Sequence, residues 1–179
     1  MPTKYYAYNV NVQTTCDDLS PQDGDHDMID TAPGSATSHN SNVSGLTSYT
    51  LLRCYKDDVS GDTPLTGSQT YNISVDVTVL TKCDIRFRIA AVDTTGCART
   101  YSGYQEYLVA TGTGIKTFSL TLNFGAGDEH LELQMEGRQE SGAHGTREVT
   151  ISVDDNDTWV EAPWPVAGTT SKPRAILHG

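Results

Sequence analysis

The sequence predicts an all-β fold built as an antiparallel β-sandwich with an extended C-terminal arm. Strict alternation of apolar and polar residues is the main observation. The others are the turn sequences between the alternating runs and the lack of any helical period. Tyr71 to Val79 alternates over nine residues and puts its apolar side chains on one face, as a half-buried strand requires. The runs 84–89, 118–124, 131–136 and 148–153 repeat the pattern. Weaker strands cover 6–12, 49–55 and 104–110. The segments 60–64, 93–96, 111–114 and 125–128 are rich in Gly, Asp, Thr and Pro and read as turns. No stretch places apolar residues at i, i+3, i+4 and i+7 over three turns. Eight short strands with polar residues outward imply antiparallel sheets, hence a sandwich or jelly roll.

The chain has 179 residues, the size of one domain. We assign residues 1–162 to it, with a polar, acidic loop at 17–48. Residues 163–179 begin Pro163-Trp164-Pro165, a sequence unsuited to helix or central strand, and read as an extended arm. An arm of about 17 residues reaches roughly 55 Å, far enough to touch a neighbouring subunit. The net charge of −11, from 12 Lys+Arg against 23 Asp+Glu, excludes the basic footprint of a nucleic-acid binder. No run approaches the roughly 20 apolar residues of a spanning helix, so no membrane partner is expected. No apolar signal segment follows Met1, and Pro2 excludes myristoylation. The four cysteines form no CxxC pair. A tight hairpin near Thr95 would hold Cys83 and Cys97 apart. All four cysteines therefore read as free or buried thiols, with a disulfide as the alternative.

The segments from about 45 to 160 resemble the jelly-roll carbohydrate-binding modules. The run 67–75, with Tyr71 after a Gly-containing loop, is similar to an early strand of those modules. Residues 113–122, 131–135 and 149–155 are similar to later ones, the last closing on Asp154-Asp155. The resemblance implies a calcium ion between the N-terminal segment and the closing Asp pair. It nominates Asp17 or Asp18 with Asp154 or Asp155, and otherwise no cofactor. A Ca²⁺ site gathers oxygen ligands of this kind.

The polar faces supply further candidates. With odd-numbered residues inward, Asp76, Arg86 and Arg88 point outward, as do Glu132, Gln134 and Glu136 on their strand. Planar polar groups of this kind form paired hydrogen bonds to sugar hydroxyls. Tyr101, Tyr104, Tyr107, Trp159 and Trp164 are candidates for an aromatic platform, and the same residue types suit a subunit interface. No Gly-x-Ser-x-Gly or His-Glu-x-x-His occurs, and no carboxylate pair flanks an evident cleft, so no enzyme is expected.

Two functional expectations follow. In the first, the chain is a structural virion protein, a phage-like capsid decoration protein made in the host cytoplasm. Its partners would be the major capsid protein, copies of itself in a homo-oligomer such as a trimer, and host glycans. In the second, it is a carbohydrate-binding module.

Overall fold

A computed structural model describes residues 2–8, 16, 19, 21–22, 25–30, 32–58, 66–93, 95–142 and 144–165. Twelve strands are defined among them. They are β1 Pro2–Ala7, β2 Asp25–Ile29, β3 Thr37–Asn42, β4 Thr50–Asp58, β5 Gly67–Thr81 and β6 Cys83–Asp93, followed by β7 Ala98–Tyr101, β8 Gln105–Tyr107, β9 Gly114–Phe124, β10 Asp128–Gln139, β11 Glu148–Val153 and β12 Trp159–Pro165. The fold is an all-β sandwich of two layers. In sheet A, β5 is central: β9 pairs with one edge, and β11–β3 and β12–β1 share the other. In sheet B, β10 lies between β4 and β6, and β6 also pairs with β7 and β8. Strand β2 pairs antiparallel with β1 of sheet A and parallel with β4 of sheet B, and so joins the layers. That parallel pairing departs from the purely antiparallel expectation.

The alternation works as the sequence predicts. Tyr71, Ile73, Val75 and Val77 of β5 are buried, as are Ile85, Phe87 and Ile89 of β6. The core has two aromatic groups. Trp164 stands 5.2 Å from Phe124 and 5.6 Å from Tyr71, ring centre to ring centre. Phe87 of sheet B meets Phe118 of sheet A at 5.8 Å. Close approach is needed where β10 bulges against β4. A Cβ on Gly137 would lie 2.7 Å from Leu52 Cδ1 and 3.1 Å from Val43 Cγ1, so a larger residue would force these core side chains to shift.

Several expectations need correction. The acidic segment 17–48 is not simply a loop, since it contains β2 and β3. Strand β3 has almost no apolar residue, but its backbone pairs with six residues of β11, and Arg53 reaches Ser41 Oγ and the Asn40 carbonyl from sheet B. The first strand spans Pro2–Ala7, while residues 9–15 lie outside the described residues. The expected strand at 104–110 is the short β8 followed by a 3₁₀ turn at Val109–Thr111.

The arm does not begin at 163, because Pro163, Trp164 and Pro165 complete β12. Trp164 has the parity of the buried Val160 and Ala162, and its indole N–H donates to Tyr5 Oη at 2.8 Å. Both prolines lie beyond the segment that pairs with β5, so no ladder donor is lost there. Residues 166–179 lie outside the described residues.

Candidate functional site

The outer face of sheet B collects most of the nominated residues. Pairing between β6 and β10 sets Arg86 opposite Glu136, Arg88 opposite Gln134 and Asp84 opposite Arg138. Each pair is hydrogen-bonded. Arg86 Nε donates to Glu136 at 2.7 Å, Arg88 Nε to Gln134 at 2.8 Å and Arg138 Nε to Asp84 at 3.2 Å. Tyrosines from neighbouring segments stack between the guanidinium groups. Arg88 lies 3.9 Å from the Tyr101 ring centre and 5.0 Å from that of Tyr104. Arg86 lies 3.6 Å from Tyr104 and 4.2 Å from Tyr49, and Arg138 lies 4.5 Å from Tyr49. The result is one continuous row: Tyr101, Arg88, Tyr104, Arg86, Tyr49, Arg138.

Planar cations over aromatic faces attract electrostatically, and each contact holds two planar groups in a fixed order. Tyr104 Oη donates to Glu136 at 2.8 Å, and the Tyr49 hydroxyl donates to Glu106. Burial first, and then these hydrogen bonds, raise both phenols above the usual tyrosine range, so they stay protonated donors. Tyr101 and Tyr104 are about 40% exposed, at 42% and 39%. The row's three arginines face the carboxylates of Glu136, Asp84 and Glu106. At its Arg138 end the row opens into a cleft of about 660 Å³, lined by Thr47, Asp84, Leu108, Val109 and Glu140 among others.

The other end of the same face is closed. Glu132 is fully buried and takes a two-pronged contact from Arg99, with Lys56 at 3.8 Å and the Gln134 amide donating at 2.8 Å. The Cys16 carbonyl lies over this group and accepts from Lys56 Nζ at 2.9 Å and Arg99 Nη2 at 3.0 Å. A disulfide between Cys16 and Cys97, 81 residues apart, fastens Cys16 to the sheet. Four thiols were the first expectation, and two exist: Cys54 and Cys83, both buried. No local spacing connects Cys16 to Cys97. Only the folded sheet brings them together.

The structure thus unites Arg86, Arg88, Tyr101, Tyr104 and Glu136 and adds Tyr49, Glu106 and Arg138. Arg138 shares the parity of Glu132, Gln134 and Glu136, which is a legible signal. Tyr49 comes from across the sheet and had none. Glu132 and Gln134 have no exposed surface, so they support the face from beneath and offer nothing to a ligand. Tyr107 turns toward the core and packs on Phe87 and Phe118. Trp164 is core. Asp76 and Trp159 belong to sheet A.

Asp17 and Asp18 lie outside the described residues. Asp155 lies near Asp76 and Asp157, with one oxygen from each within 4.8 Å of the others, and Asp154 is not in that group. Burial, then Asp155 and Asp157, raise the Asp76 carboxyl. Three oxygens can begin the shell of a hard cation, though Ca²⁺ takes about six to eight. Asp155 also caps the turn by accepting the backbone N–H of Asp157 at 2.9 Å and of Thr158 at 3.3 Å.

A polar cluster sits between the layers. Arg53 Nη1 donates to His26 Nε2 at 2.8 Å, and His39 Nδ1 is hydrogen-bonded to Tyr55 Oη at 2.8 Å. Burial, then His26 and Arg53, push His39 down to about 4 and hold its imidazole neutral.

No protein-family model matches the chain, and no curated protein does. Among solved structures it is similar to a CocE/NonD family hydrolase from Staphylococcus aureus, with a TM-score of 0.51 and 11% identity. The likeness covers 92% of this chain but only 37% of that hydrolase, and at this identity it shows a shared fold. It nevertheless corrects one expectation. The chain was read as no enzyme, and its fold is one that a hydrolase carries.

Proposed function

We propose that this β-sandwich binds a carbohydrate chain along the outer face of sheet B. The continuous row from Tyr101 to Arg138 is the observation that carries this reading. Tyr101 and Tyr104 keep exposed ring surface beside the arginines they stack on, apolar surface against which a sugar ring can pack. The ordered arginines, carboxylates and phenols supply fixed donors and acceptors for hydroxyl groups. The arginines are matched by carboxylates and the whole chain carries −11, so a neutral polyhydroxy ligand suits the face better than a polyanion. The cleft at the Arg138 end offers a deeper pocket for one end of such a chain. The resemblance to carbohydrate-binding modules supports the same ligand class. The capsid-bridging reading would be favoured by Trp164 buried between chains. With Trp164 in the chain's own core, it has less to rest on.

A glycan array probed with the full chain, followed by calorimetry on any hit, tests the proposal. Replacing Tyr104 with Ala should weaken binding about tenfold or more, because exposed aromatic anchors dominate such faces. Wild-type protein that binds no neutral saccharide would overturn it. A second reading, hydrolysis, is favoured by the structural likeness alone. Its test is turnover of a panel of chromogenic esters, amides and glycosides that persists through repurification.

A further inference from the structure

The outer face of sheet A carries a different juxtaposition. Strand register aligns two rows across four strands. Tyr6, Trp159, Ser74 and Thr117 form one row. Lys4, Glu161, Asn72 and Ser119 form the other. Residues two apart on a strand share a face, so both rows look outward side by side. Opposite members of a row stand about 5 Å apart, close enough to act together.

A hollow of about 300 Å³ opens on this face. Trp159, Asn72, Thr117, Ser119 and Glu161 line it, with Ile73 and Phe118. The polar wall is already ordered. Ser119 Oγ donates to Asn72 Oδ1 at 2.9 Å, and Asn72 Nδ2 donates to Glu161 Oε2 at 3.0 Å. This relay leaves a second amide hydrogen on Asn72 and further lone pairs on Glu161 and Ser119. Lys4 Nζ sits 4.0 Å from the Trp159 ring centre. The rows therefore balance one cation against one carboxylate.

We propose that this hollow is a second saccharide site, which takes a single neutral sugar ring laid beside the Trp159 indole. Its hydroxyls would bond to Glu161, Asn72 and Ser119. Charge balance disfavours an ionic ligand, and the aromatic wall with a fixed donor–acceptor relay is the combination a polyhydroxy ring needs. This site shares no residue with the sheet B face, so the two stand independently. Together they would let one chain hold two saccharide strands on opposite faces, with the avidity that two linked sites bring.

The test is an NMR titration of the ¹⁵N-labelled full chain with glucose, galactose, mannose, N-acetylglucosamine and their β-linked disaccharides. The two indole N–H signals separate the outcomes, since Trp164 is buried and reports only on folding. The proposal expects saturable shifts of the Trp159 indole and the Asn72 amide, with Trp164 unmoved. Replacing Trp159 or Asn72 with Ala should weaken this binding about tenfold. Tyr104→Ala should leave it within about twofold. No movement of Trp159 with any sugar overturns the site, as does equal loss on Tyr104→Ala. Shifts at Trp159 without effects at Tyr104 would uphold this site while the sheet B reading fails.

Discussion

Glu132 and Glu136 of strand β10 lie four residues apart, and their surroundings differ sharply. Both face the outer side of sheet B, and each meets two cations: Arg99 and Lys56 for Glu132, Arg86 and Arg88 for Glu136. Glu132 lies beneath the Cys16 carbonyl, and its side chain and both of its partners' side chains are at most 4% exposed. Glu136 is nearly buried itself, yet its partners are 26% and 19% exposed and stack against exposed tyrosines. The same ion-pair chemistry therefore acts as a sealed internal strut at one end and as the foundation of an open surface at the other. The disulfide-held Cys16 over Glu132 makes the difference.

That contrast orders the expected effects of substitution. Removing the buried carboxylate should hurt most. Glu132→Ala leaves Arg99 and Lys56 buried without their partner and should cost about 3–5 kcal/mol, read as a lower denaturant midpoint. If it costs less than about 1 kcal/mol, the sealed end is wetter than its burial indicates. Loosening the cover comes next. Cys97→Ser opens an 81-residue connection and should cost about 2–4 kcal/mol. Thiol titration of the unfolded wild type should find two reactive groups before reduction and four after it. Finding four beforehand would remove the clasp from the comparison. The smallest effect belongs to the open end. Arg88→Ala should cost about 1 kcal/mol or less, since water can take over much of what its partners lose. A loss as large as that at Glu132 would erase the distinction between strut and surface.

Much of this architecture was readable in advance, for a physical reason. Strands β5, β6, β9, β10 and β11 each turn apolar side chains to the core and polar ones to the other face, which forces alternation at period two even where, as on β10 and β11, the polar side chains are themselves covered. Where another interaction replaces apolar burial, the signal fails. Strand β3 is written Thr-Ser-His-Asn-Ser-Asn and holds through β11 and Arg53 instead of its own hydrophobicity. Trp164, between two prolines, looks like a tail residue, and only the pairing of β12 with β1 shows its place in the core. The candidate site divides the same way. Arg86 and Arg88 follow from alternation on one strand. Tyr49 joins them through contacts that exist only after the sheet forms.

The pairing of β1 with β12 has a consequence for how the molecule is made. Thr3 lies beside Ala162 and Tyr6 beside Trp159, so the first of the described strands to be synthesised needs the last of them. Contacts this distant in sequence are slow to close. On the ribosome the N-terminal ribbon must wait with one hydrogen-bonding edge bare until residues near 165 emerge. A nascent chain stalled before Trp164 would show that edge together with the hollow the indole normally fills. Both are marks by which a chaperone recognises an unfinished client.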